Sequence, residues 1–143
     1  MKDKVIKFIP YGRQDVTEED IAKVIEVLKS EFLTQGPVVE NFEGKITEKT
    51  GSKYSLVVNS ATSALHLACL SLGLSVGDWL WTSPITFVAS ANCGLYCGAN
   101  VDFVDIDAST GLMDVGKLSE KLKNAEIVGK LPKIVVPVHL SGI

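Results

Sequence analysis

The segment 59–63, which reads Asn-Ser-Ala-Thr-Ser, contains the residues of this chain best suited to chemistry. It follows the apolar run 54–58 and precedes the apolar run 64–74, where a predicted strand passes into a predicted helix. Free N–H groups and the dipole at a helix N-terminus attract anions, and small side chains let a phosphate approach closely. The pattern therefore indicates an anion-binding site with added hydroxyl donors. The same residues would also occur if Ser60 or Thr62 simply capped a buried helix.

A second segment, 82–87, reads Thr-Ser-Pro-Ile-Thr-Phe and follows the next predicted strand. Its last residue, Phe87, could lay its aromatic face against a flat ring whose phosphate binds at 60–62. Helical periodicity alone instead favours Phe87 as a core residue. The first predicted strand is not followed by a GxGxxG motif, and P-loop and GxSxG patterns do not occur. These absences weigh against a dinucleotide site and against a serine hydrolase.

Composition narrows the class of protein. The 143 residues are 46% hydrophobic, which suits a globular domain with a core. The net charge of −3 argues against nucleic-acid binding, which requires a basic surface. No stretch of 18 residues is uniformly apolar, and no apolar segment follows the charged N-terminus, so we expect neither a membrane span nor a signal peptide.

The cysteines are odd in number and lie in apolar, helix-like surroundings at Cys69, Cys93 and Cys97. This usage fits reduced thiols and predicts a cytoplasmic protein. A metal site would need further ligands at defined spacing, and only His66 and His139 are available. We therefore expect no metal and interpret the cysteines as small buried hydrophobes.

The N-terminal region is predicted to be helical. Thr17 and the acidic residues after it indicate a helix start, and apolar residues continue at helical spacing as far as Phe32. The segment 35–37 ends this helix. A second, weaker helix is predicted to end at Gly51, although it contains Gly44.

From residue 53 onward, predicted strands alternate with predicted helices. The strands are 54–58, 79–82, 101–104 and 134–138, and the helices are 61–73, 86–97 and 114–123. This order predicts an α/β fold with a mostly parallel sheet covered on both faces. Ligands of such sheets bind at the carboxyl ends of strands, which here means 60–63, 83–87 and 105–107. Because the sequence stops just after a strand, we expect it to be the N-terminal piece of something longer.

Several motifs follow one another along nearly the whole chain. They are Tyr11, 33–37 (Leu-Thr-Gln-Gly-Pro), 59–65 (Asn-Ser-Ala-Thr-Ser-Ala-Leu), 77–78 (Gly-Asp), 83–92 (Ser-Pro-Ile-Thr-Phe-Val-Ala-Ser-Ala-Asn), 104–107 (Val-Asp-Ile-Asp) and 137–142 (Pro-Val-His-Leu-Ser-Gly). In this order they resemble the DegT/DnrJ/EryC1/StrS family of sugar-nucleotide aminotransferases, which are pyridoxal-phosphate enzymes of fold type I. The resemblance implies a helical segment 1–52 and the first part of the cofactor-binding large domain at 53–143.

The resemblance also implies roles for individual residues. Contacts to pyridoxal 5'-phosphate would come from Ser60, Ala61, Thr62 and Phe87, with the first three at the phosphate and the phenyl ring stacked on the pyridine. Contacts to the substrate would come from Tyr11, Glu31, Phe32, Leu33, Thr34 and Ala61. In this family the active site lies at a dimer interface, so a homodimer is expected.

The segments 9–12 and 83–87 look most like the C4-aminotransferases of the pseudaminic acid pathway, which aminate UDP-4-keto-6-deoxy-N-acetyl-altrosamine. The implied function is amino transfer from glutamate to a 4-keto, UDP-linked sugar in polysaccharide biosynthesis. A dehydratase of the same family, in which histidine replaces the cofactor-bound lysine, is an alternative.

No catalytic residue is assigned. The family's cofactor-bound lysine, and the acid that pairs with the pyridine nitrogen, lie downstream of the segment that matches 138–142. We therefore expect these 143 residues alone to bind without catalysis, to hold no cofactor covalently, and to self-associate. The alternative is a non-catalytic or truncated domain that binds a phosphate or a nucleotide sugar.

Overall fold

The structure, a computed structural model, describes Pro10 and residues 12–143. The chain divides into an N-terminal unit that ends at Val57 and a C-terminal unit that begins at Val58. The N-terminal unit contains α1 (Glu18–Leu28) and α2 (Pro37–Thr50). The C-terminal unit contains α3 (Ala61–Ser71), β1 (Trp79–Thr82), α4 (Ala89–Tyr96), β2 (Asn100–Phe103), α5 (Val115–Ile127), β3 (Ile134–Val136) and the 3-10 helix Leu140–Gly142. In the part of the chain described, no helix is long and apolar enough to cross a membrane.

The N-terminus of α1 is capped by side chains of its own first turn. Thr17 accepts a hydrogen bond from the Asp20 amide at 3.3 Å, and Asp20 accepts one from the Thr17 amide at 2.8 Å. This reciprocal capping box confirms the helix start predicted from Thr17. The helix ends at Leu28, so Phe32 lies beyond it, contrary to the prediction from periodicity.

The connection from α1 to α2 is an exposed series of bends. The Ser30 hydroxyl lies 2.8 Å from the Val27 carbonyl oxygen and 3.1 Å from that of Phe32. These hydrogen bonds hold the residues that follow α1 against the last turn of the helix. A Cβ atom at Gly36 would lie 2.7 Å from Cβ of Phe32, so only glycine fits there. Pro37 then opens α2, and Gly51, with φ of 69°, ends it as predicted.

The strand predicted at 54–58 is wrong. None of its residues belongs to a strand in the described part of the chain. Tyr54 and Leu56 are largely exposed, and the Val57 amide donates to the Glu43 carboxylate at 2.8 Å instead of to a neighbouring strand. An apolar run indicates a preference for burial, whereas a strand also requires a partner backbone that the run itself does not specify.

The other three predicted strands form one parallel sheet in the order β2-β1-β3. Trp81 of β1 is level with Asp102 of β2 and Val135 of β3. Each strand follows its predecessor through a helix, as parallel pairing requires. The predicted α/β fold with a parallel sheet is confirmed.

The core of the C-terminal unit has two layers, one on each face of β1. Leu80 packs with Cys69 of α3 and Cys93 of α4 on one face. On the other face, Trp81 packs with Ala125 of α5. Alternate side chains of β1 therefore pack against helices on opposite faces of the sheet.

Candidate functional site

The N-terminus of α3 has free hydrogen-bond donors. Ser60 is the N-cap: its hydroxyl accepts from the Ser63 amide at 3.2 Å, and its carbonyl accepts from the Ala64 amide at 3.0 Å. Among the residues that the structure describes, the amides of Ala61 and Thr62 have no acceptor. The first turn contains no acidic residue, so the positive end of the helix dipole is not neutralised. An anion fits this position.

The hydroxyl groups beside these amides are also ordered. Ser63 donates to the Asn59 side-chain oxygen at 2.7 Å and lies 3.1 Å from the Ser60 hydroxyl oxygen. The Thr62 hydroxyl has no hydrogen-bond partner within the described segments. The prediction named the hydroxyl residues as site residues but not Asn59, which holds Ser63 in place. Asn59 is the first residue of the 59–65 motif, and this position was the only sequence signal that it belongs to the site.

The carboxyl end of β1 contributes a second group of polar residues. The Thr82 hydroxyl is buried and donates to the Val136 carbonyl at 2.9 Å, which links β1 to β3. The next residue, Ser83, is fully buried, and its hydroxyl has no partner in the described part of the chain. Residues 84–88 then form the loop that leads to α4.

Phe87 lies in the loop before α4, because this helix begins at Ala89 and not at the predicted residue 86. Its side chain is 60% exposed, so it is not a core residue. The Thr86 hydroxyl donates to the Ser90 hydroxyl at 2.8 Å and fixes the loop to the helix. Phe87 therefore presents an aromatic ring just before the start of α4, the helix that packs against α3.

The remaining predicted site residues belong to the N-terminal unit. Glu31, Phe32, Leu33 and Thr34 lie in the exposed connection between α1 and α2. Tyr11 lies outside the described residues.

The carboxylates at the end of β2 are used within their own loop. Asp105 lies 2.7 Å from the Lys117 ammonium, and this hydrogen bond holds the pKa of Asp105 below its ordinary value. Hydrogen bonds from the Ser109 hydroxyl and amide, and from the Thr110 amide, lower the pKa of Asp107. Both side chains therefore take part in hydrogen bonds within the segment that leads to α5.

The cysteines form part of the core. Cys69 and Cys93 are buried between α3 and α4, and Cys97 is partly buried. Burial raises the pKa of the Cys69 thiol to about 12, which keeps it protonated and unreactive. Within the described ranges, no cluster of three His, Cys, Asp or Glu side chains could hold a metal ion. His66 instead contacts the edge of Tyr96, with ring centroids 5.3 Å apart.

The chain is similar to known aminotransferases over most of its length. The model of the DegT/DnrJ/EryC1/StrS aminotransferase family matches residues 14–143. The chain is 39% identical over 142 residues to the spore coat polysaccharide biosynthesis protein SpsC of Bacillus subtilis, covering 99% of this chain and 35% of that protein. It is 43% identical over 124 residues to the UDP-4-amino-4,6-dideoxy-N-acetyl-beta-L-altrosamine transaminase of Campylobacter jejuni, covering 86% of this chain and 32% of the relative. The chain thus spans about a third of the length of these relatives.

Solved structures show the same relationship. The PLP-form of the putative sugar aminotransferase Spr1654 from Streptococcus pneumoniae matches with a TM-score of 0.82 and 31% identity, covering 94% of this chain and 33% of that chain. Helicobacter pylori PseC, an aminotransferase involved in the biosynthesis of pseudoaminic acid, matches with a TM-score of 0.80 and 34% identity, covering 93% and 34%. Spr1654 has also been solved in its PMP-form.

Proposed function

Because the chain belongs to the DegT/DnrJ/EryC1/StrS aminotransferase family, we propose that its protein transfers an amino group from glutamate to a 4-keto sugar nucleotide. Aminotransferases of this family depend on pyridoxal phosphate, and the expectation of this cofactor is confirmed at the level of the family. The observation that carries the proposal is the N-terminus of α3, where two amides have no acceptor among the described residues and can bind an anion inside the matched region.

The residues present fit the cofactor's phosphate. The amides of Ala61 and Thr62 would donate to its oxygens, and the hydroxyls of Ser60 and Thr62 would add donors of suitable length and flexibility. The exposed ring of Phe87 would cover the pyridine face. When bound, pyridoxal phosphate supplies the electron sink for amino transfer, and this part of the protein contributes its binding and orientation.

We assign the substrate contacts to Tyr11, Glu31, Phe32, Leu33, Thr34 and Ala61. The exposed connection between α1 and α2 supports the assignment, because its backbone is held by Ser30 and Gly36 while its side chains remain free for a ligand. A UDP-linked amino sugar of the pseudaminic acid type is the proposed substrate class. The Campylobacter transaminase and Helicobacter PseC, whose names refer to such sugars, support this choice.

We further propose a cytoplasmic homodimer. Free cysteines fit a reducing compartment. Large apolar side chains are exposed in each unit, among them Val24 and Leu28 in the first and Leu72 and Val76 in the second, and such surfaces commonly mediate association. Sedimentation of the intact protein at micromolar concentration should show a dimer, and a stable monomer would contradict this part of the proposal.

The activity is tested by supplying the intact protein with pyridoxal phosphate, glutamate and a UDP-4-keto-6-deoxy-N-acetylhexosamine. We expect a 4-amino sugar nucleotide and an equal amount of 2-oxoglutarate, both measured by mass spectrometry. Glutamate without the keto sugar should yield at most one 2-oxoglutarate per site. Loss of water from the sugar would identify the dehydratase alternative, and failure to aminate any 4-keto sugar nucleotide would refute the proposal.

The role of Phe87 is tested separately with Phe87→Ala. We expect cofactor affinity to fall by about 1 kcal/mol, the size of one aromatic contact. Because the side chain is 60% exposed, the free energy of unfolding should fall by far less than the roughly 3–5 kcal/mol typical of a buried Phe. Cofactor absorbance and thermal melting of the apo form measure the two effects. Unchanged affinity per folded molecule would remove Phe87 from the site.

A further inference from the structure

The connection between α1 and α2 contains a left-handed backbone at a residue that is not glycine. Gln35 has a φ of 51°, and among the described residues only Ser141 shares this feature outside glycine. A Cβ atom disfavours this region, and the side chains that adopt it most readily are Asn, Asp and His rather than Gln. A glycine at position 35 would relieve the strain. The chain therefore keeps a glutamine where its backbone favours glycine.

The neighbouring glycine has a different cause. Gly36 has an ordinary φ of −89°, and glycine is required there because a Cβ atom would lie 2.7 Å from Cβ of Phe32. Gln35 itself is exposed, and within the described part of the chain its carboxamide has no hydrogen-bond partner. Neither packing nor a local hydrogen bond therefore accounts for a glutamine at the strained position.

The backbone around Gln35 is held on both sides. Before it, the Ser30 hydroxyl bonds to the carbonyl oxygens of Val27 and Phe32, and after it Pro37 opens α2 with a fixed φ. Strained residues persist where their surroundings determine the backbone, and they cluster at ligand-binding sites. A side chain on a fixed backbone also loses less conformational freedom when it binds a ligand.

We propose that Gln35 is a further substrate-binding residue, whose carboxamide forms hydrogen bonds to a polar group of the sugar nucleotide. The inference rests on the proposed function, in which the adjoining residues 31–34 contact the same ligand. A carboxamide offers a donor beside an acceptor. Uracil and an N-acetyl group each present an N–H beside a C=O, so both match it, and titration with UDP alone separates them.

Gln35→Gly tests the proposal, because it removes the carboxamide and the strain together. In the intact protein, affinity for the 4-amino sugar nucleotide, the expected product, should fall about threefold to tenfold by calorimetry, the range of one neutral hydrogen bond. The melting temperature of the apo protein and its affinity for pyridoxal phosphate should not fall, whereas a purely structural role would lower the melting temperature. An equal loss for UDP assigns the contact to the nucleotide, and unchanged UDP affinity assigns it to the sugar.

Two further variants serve as controls. Gln35→Asn keeps a carboxamide and suits a left-handed backbone, so it should retain more affinity than Gln35→Gly. Ser141→Gly relieves the other non-glycine position with positive φ and should leave the affinity unchanged. The inference is overturned if Gln35→Gly binds the sugar nucleotide as well as Ser141→Gly does while the parent binds it. If the parent binds neither UDP nor the product, the proposed function fails and the inference fails with it.

Discussion

The helices α1 and α3 begin with the same kind of residue and yet present opposite chemistry. Each has a hydroxyl N-cap, Thr17 in α1 and Ser60 in α3, whose oxygen accepts from the amide three residues later. In α1 that third residue is Asp20, whose carboxylate bonds back to the Thr17 amide at 2.8 Å. In α3 it is Ser63, whose hydroxyl donates to the Asn59 side-chain oxygen and forms no bond to the Ser60 amide.

The difference shows that a hydroxyl cap alone does not make an anion site. The first turn of α1 contains three acidic residues, which neutralise the positive end of the helix and repel a further anion. The first turn of α3 contains none, and the amides of Ala61 and Thr62 stay free among the described residues. Capping and anion binding are thus separable properties of one helix terminus.

The largest expected effect comes from giving α3 the acidic start of α1. Thr62→Glu places a carboxylate at the free amides, so pyridoxal phosphate should bind about tenfold more weakly, or worse, through like-charge repulsion. The apo protein should melt no lower than the parent, because a negative charge stabilises a helix N-terminus. Cofactor affinity is measured by absorbance titration, and the stability of the apo protein is measured by thermal melting.

Thr62→Gln is the matched control for that substitution, since it has the same size without the charge. Its cofactor affinity should fall clearly less than that of Thr62→Glu. Equal losses in the two variants would mean that side-chain volume, not charge, governs the site.

A smaller effect is expected from removing the caps themselves. Ser60→Ala and Thr17→Ala should each lower the free energy of unfolding by about 1 kcal/mol, as measured by urea denaturation. Only Ser60→Ala should also lower the affinity for the cofactor, by a few-fold. An equal loss of cofactor affinity in both variants would remove the contrast between the two termini.

The smallest effect concerns acid pH. The Thr17 amide and hydroxyl bonds hold the pKa of Asp20 below its ordinary value, so this contact stabilises α1 above the unfolded pKa and is lost as pH falls through the folded pKa. The start of α3 contains no titrating group. As the pH falls below about 4, the ordinary range of an Asp, amide chemical shifts should show the first turn of α1 loosening before that of α3. Simultaneous loosening would contradict the capping-box account.

Much of the fold could be predicted from local patterns. Thr17 and Gly51 mark helix ends in the structure as in the sequence, because capping depends on residues within one turn. The strand at 79–82 is confirmed with the same bounds, and its alternation of Trp and Leu reflects burial on two faces. The strand at 54–58 failed because pairing depends on a distant backbone.

Some features of the candidate site follow from local sequence, and others depend on tertiary packing. The sequence by itself determined the hydroxyl-rich start of α3 and its lack of acids, since a helix terminus is a local structure. Only the tertiary structure decided that Phe87 is exposed, that Asp105 is paired with Lys117, and that the Ser83 hydroxyl is buried without a partner among the described residues. Exposure, ion pairing and unmet hydrogen bonds depend on which elements pack together, and residues far apart in the chain set that packing.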